Sequence, residues 1–238
     1  MSLALFVDDD DAVLDGLRRL LHRRLGSLVT LPGRPGAAAE LRCLLDDDAS
    51  DAAVAHAVGN DLAFTVKVLQ LAARGDVHLP LTVDGAVASI GVPALRDLAI
   101  RTAVFEDRVR GWAATVAQVL ADYDPAPGGA IPPDAAVGLL ALAACAPDAM
   151  RVALAASRGD VTALADAERG TVGAGHRQVG RYLLHLWAVP GVLAPNQGHA
   201  WPGPVPPMGA HAAALRELAA LARASVAPGL RPDLVPRP

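Results

Sequence analysis

Between Asp61 and Gly75 the chain carries Leu62, Phe64, Val66, Val68, Leu69 and Leu71 with almost no polar face left over. Such a segment is stable in water only when other elements cover it on every side, so it fixes the centre of whatever the chain folds into. Its punctuation is helical: Asp61 supplies a cap, and Gly75 a left-handed stop. Thr82 caps a following helix that ends at Gly91, and Pro93 stands where a first-turn proline opens the next. Leu95, Leu98, Thr102 and Phe105 share one side of that helix. Tight Gly and Pro turns joining apolar helices describe a helical core, and periodicity after Leu28 is helical wherever it is readable. The expectation is an all-α bundle of at least nine helices, with at most one short strand near the N-terminus. Phe64, Val68, Leu71, Leu183 and Trp187 are expected in its core.

Composition agrees. Of 238 residues 53% are apolar but only 3% aromatic, so the excess is alanine and leucine, suited to closely packed helices. A formal charge of −4 disfavours non-specific nucleic-acid binding, since phosphates need a basic surface. Cys43 and Cys145 have no CxxC or zinc-type spacing and read as buried free thiols of a reducing cytoplasm. The longest apolar run, Ala135 to Ala146, is too short to span a bilayer and suits a buried helix. No signal peptide is apparent, because Asp8 to Asp11 interrupts the N-terminal apolar run. A soluble cytoplasmic protein is expected, with neither membrane nor nucleic acid as partner.

The segments DLAFTVKVLQLAA and AVASIG-VPALRDLAI resemble the HDOD family, regulatory relatives of the HD phosphohydrolases in bacterial signalling proteins. Asp61, Ala63, Lys67, Leu69, Leu71, Ala86, Ile90, Gly91 and Leu95 fall on its pattern. A second match runs from Glu168 to Pro190, through Gly173, His176, Val179, Gly180, Leu183, Leu184 and Trp187. Physically this is a helix in which Gly180 lets a neighbour approach closely. The resemblance implies an all-α HD-like fold over residues 28–226, with a proline-rich tail at 227–238. It also places the phosphohydrolase metal ligands: a histidine near Ala114, and a His-Asp doublet where the chain has Ala141 and Leu142. Alanine and leucine cannot ligate a metal, so the resemblance implies a non-enzymatic module without a cofactor. Its partner would be another signalling protein or a small nucleotide-like ligand. Glu168, His176, Trp187 and His199 are the residues expected at the ligand or partner pocket. The alternative is a divergent metal-dependent HD-type phosphohydrolase drawing on His176, His199 and nearby acidic groups; His185 belongs to the same histidine-bearing stretch.

Residues 1–27 resemble the first strand and first helix of a response-regulator receiver, with Asp8 and Asp9 on its acidic pair, but no phosphoacceptor strand follows. A hard cation needs more ligands than that one turn supplies. Two arrangements are open for this segment. Leu3 to Val7 can pair with the same strand of a second copy to give a homodimer, which satisfies its backbone groups most directly. Alternatively the segment docks on the helical body through Val13, Leu17, Leu20 and Leu21.

Overall fold

The computed structural model describes residues 31–74, 82–106, 111–123, 131–187, 189 and 208–225. Ten helices and no strand occur among them: α1 (Ala37–Asp46), α2 (Asp51–Gly59), α3 (Leu62–Arg74), α4 (Val83–Glu106), α5 (Trp112–Tyr123), α6 (Pro133–Cys145), α7 (Pro147–Ser157), α8 (Val161–Thr171), α9 (His176–Leu186) and α10 (Met208–Ser225). The all-α expectation holds. Residues 1–27, the tail at 227–238 and His199 lie outside the described residues.

Helix starts follow the chemistry of the caps. The Asp61 carboxylate accepts from the Phe64 N–H at 2.9 Å and the Arg34 N–H at 2.7 Å, joining the start of α3 to the approach to α1. Asp61 is buried, and burial pushes its carboxyl above the ordinary range against the pull of those two hydrogen bonds. Ser50, Thr82 and Asp160 cap α2, α4 and α8 through the N–H groups of Ala53, Gly85 and Ala163. Helix α4 is two helices joined at a kink: Gly91 breaks it at φ 73°, ψ 165°, and Pro93 restarts it within a turn.

Helices α1 to α4 pack mainly on one another, and so do α5 to α10, while one hydrophobic cluster runs through both halves. At its centre α6 is buried from Ala135 to Ala143, as the apolar run predicts. Phe64, Val68 and Leu183 are buried in their respective halves. Leu71, in the last turn of α3, and Trp187, just past α9, are only partly buried, contrary to expectation. Nor are the thiols buried: Cys43 is exposed and Cys145 half-exposed. The core stripe of α1 is Ala37, Ala38, Leu41 and Leu45, and two residues beyond Leu41 a helix has turned about 200° away.

The tightest contact joins α6 and α9. A Cβ on Gly138 would lie 1.7 Å from the His176 carbonyl oxygen, and one on Gly180 would lie 1.7 Å from the Asp134 carbonyl oxygen. Gly138 thus faces His176 while Gly180 faces Asp134, so the helices run antiparallel with backbone against backbone. Across the crossing the Asp134 carboxylate accepts from Arg177 Nε and Arg181 Nε, each at 3.0 Å.

Either Gly138→Ala or Gly180→Ala forces α6 and α9 apart and is expected to cost about 3 kcal/mol or more in urea unfolding. Gly170→Ala, on the exposed side of α8 with nothing within 4 Å of the new Cβ, should instead gain up to about 1 kcal/mol.

Candidate functional site

Where α8 gives way to α9 the chain turns through Gly173, at φ 91°. The Glu168 carbonyl accepts the N–H groups of Val172 and Gly173 at 2.7 and 3.1 Å, which closes the end of α8. Residue 175, the cap position of α9, is glycine and offers no side-chain acceptor. Its own N–H donates to Gln178 Oε1 at 3.1 Å. The missing acceptor comes from behind: Glu168 Oε2 takes the His176 N–H at 2.8 Å. A carboxylate there meets the positive end of the α9 dipole.

The same carboxylate holds the His176 ring, with Nδ1 2.8 Å from Oε2 and 3.0 Å from Oε1. Both side chains are buried, Glu168 at 0% and His176 at 2% exposure. A carboxylate accepts hydrogen bonds, so Nδ1 is the ring nitrogen that donates here, and Nε2 points away from Glu168. That Nε2 is buried without a hydrogen-bond partner among the described residues. Opposite it stands His211 of α10, its ring centroid 5.7 Å away in an edge-to-face arrangement at 69°. His211 Nε2 is likewise buried, with no hydrogen-bond partner among the described residues. Burial lowers the His211 pKa to about 4; the His176 ring and then Arg177 push the same way, and Asp134 opposes them. The result is a buried carboxylate–imidazole pair set against a neutral imidazole at the junction of α8, α9 and α10.

Two of the four residues expected at a pocket, Glu168 and His176, therefore meet. Trp187 lies at the far end of α9, about 16 Å along its axis from His176, and His199 is outside the described residues. His185 is exposed on the opposite side of α9, so it does not join His176. Glu168 serves the neighbouring helix end, and Arg169 beside it pairs with Asp166. Sequence reasoning missed His211. Its signal lies in the spacing of α10: position 211 opens the buried series Ala214, Leu215, Leu218 and Ala222, a histidine on a core stripe.

At the positions that the resemblance assigns to metal ligands, Ala141 and Leu142 are fully buried in α6 and Ala114 is half-buried in α5. No group of three or more His, Cys, Asp or Glu suited to a metal ion occurs among the described residues. None of their helices is long and apolar enough to cross a membrane.

These features define an all-α bundle with one buried carboxylate–imidazole junction. No family model matches the chain, and no curated protein does. A solved structure does share the fold: the MmoQ response regulator from Methylococcus capsulatus str. Bath, with a TM-score of 0.54 and 24% identity over 86% of this chain and 90% of that one. A second MmoQ structure, of fragment 20–298, aligns with a TM-score of 0.46 and 23% identity over 82% and 83% of the two chains.

The His211 pKa gives a sign to the pH dependence. Between pH 6.5 and about 4 the unfolded chain binds a proton at His211 that the folded chain refuses, so stability falls with acidification. The fall begins at the unfolded pKa, totals up to about 3 kcal/mol, and levels off below about pH 4. Urea midpoints measured across this range should show the slope, and His211→Leu should remove it. Glu168→Ala leaves the His176 ring and the start of α9 without an acceptor and should cost about 2–4 kcal/mol at pH 7.

Proposed function

We propose that the chain is an HDOD-type regulatory module of bacterial signal transduction, which works by binding and carries out no chemistry of its own. Ala141 and Leu142 carry this reading. Where an HD phosphohydrolase needs a histidine and an aspartate, this chain has two hydrocarbon side chains, both at 0% exposure within the apolar helix α6. Restoring ligands there would require burying two polar groups in the tightest-packed part of the protein. The buried Glu168–His176 pair supports the same reading, since its carboxylate is already committed to a helix start and an imidazole. The solved structure that shares the fold is called a response regulator, which agrees with a signalling setting. Partners of the module are other signalling proteins or a small nucleotide-like ligand, and its setting is cytoplasmic.

The test is direct. Chelator-treated protein supplied with manganese, zinc or iron should retain no stoichiometric metal and should turn over no model phosphodiester. Metal at one equivalent together with turnover would make the protein a divergent phosphohydrolase. In a thermal-shift screen of nucleotides and in a capture experiment from a bacterial cytoplasm, binding without turnover is the expected outcome.

A further inference from the structure

A cleft of about 160 Å³ opens on the α1–α4 side, where the α1–α2 turn meets the break in α4. Leu45, Val54, Val87 and Leu95 are the buried residues of its lining, and Asp48 and Asp51 are exposed on its rim. Past the Gly91 break the outer face of α4 continues the apolar surface: Val92 is 44% exposed and Ile100 55%. These two and Arg96 are four residues apart and share one stripe. Arg96 reaches back to the Leu45 carbonyl at 2.9 Å and to the Asp46 carboxylate at 3.2 Å. Asp46 is thereby matched. Asp48 and Asp51 on the rim, and Asp47 beside them in the chain, have no ion-pair partner among the described residues, so within those residues the rim is net negative.

An apolar floor with an acidic rim calls for an occupant that is apolar on one side and basic on its flanks. The chain contains one. Residues 12–25 read AVLDGLRRLLHRRL, and helical spacing would gather Val13, Leu17, Leu20 and Leu21 on one side. Arg18, Arg19, Arg23 and Arg24 are interleaved with that stripe, against a single acidic residue, Asp15. From Leu25 to the buried Leu31 an extended chain reaches about 20 Å, a span of the same order as α1, whose far end carries Leu45 and which is about 15 Å long.

We propose that this cleft and the adjoining Val92–Ile100 face of α4 are the docking seat of the chain's own basic amphipathic segment, residues 12–25. Apolar contact seats the segment, while arginines against Asp47, Asp48 and Asp51 fix its direction. Each pair at the exposed rim contributes little singly, and together they make docking salt-dependent.

Hydrogen exchange on the full-length chain tests this. Leu17→Asp with Leu21→Asp places charge on the apolar stripe outside the described core. Amides from Asp48 to Val54 and from Val87 to Leu95 should then exchange roughly tenfold faster, while α6 and α9 keep their protection. Asp47→Lys with Asp51→Lys should produce the same local loss, and adding Arg18→Glu with Arg19→Glu should restore protection. Unchanged exchange at the cleft in the Leu17/Leu21 variant would overturn the proposal. So would a cleft whose exchange in the wild-type chain quickens on dilution while the mass in light scattering halves, which assigns the seat to a second copy.

Discussion

Helix axes ordinarily lie 8–10 Å apart because side chains stand between them. At Gly138 and Gly180 no side chain intervenes, and α6 and α9 touch through peptide groups, each glycine facing a carbonyl oxygen of the other helix. Much of the C-terminal half follows from this. With α9 held against α6, its first residue is fixed relative to α8, and Glu168 can serve both the His176 N–H and the His176 ring. The Asp134 bridge to Arg177 and Arg181 spans the same crossing and sets its register from the solvent side. The close approach also leaves α6 no room for polar side chains, which is why the alanine and leucine at 141 and 142 suit it so well.

The buried junction illustrates how a polar group survives in such a core. A carboxylate in an apolar interior is tolerable only when donors surround it, and Glu168 has a backbone N–H, an imidazole N–H and the end of a helix dipole. His211 has no comparable partner among the described residues, and burial lowers its pKa to about 4.

Much of the fold was legible along the chain, since its signals are local. Asp61, Ser50, Thr82 and Asp160 each cap a helix within three residues of themselves, and Gly91 and Pro93 act on their own turn. Gly180 was readable as a place of close approach, but its partner Gly138 was not, because nothing in the order of residues says which helix arrives there. The site was half legible for the same reason. Glu168 and His176 are close in sequence and meet, whereas His211 comes from α10, and only its position on a buried stripe marks it. Exposure at the ends of elements was misjudged: Leu71 and Trp187 have core-type side chains at places where cover is incomplete.

Helix α10 packs against α5 and α7, and Ala214, Leu215, Leu218 and Ala222 are fully buried there. Its contacts are therefore almost all with residues made much earlier. On a ribosome, α5 to α9 would emerge with a strip of apolar surface still uncovered, and with His176 Nε2 facing water in place of His211. The C-terminal half cannot close until residues 208–225 have left the exit tunnel, so its last folding step belongs to the interval after their synthesis. The α1–α4 half has no such wait, since its principal packing partners are all its own. A nascent chain of this protein would thus carry a finished N-terminal half beside an open one, and chaperone contact would be concentrated on the latter.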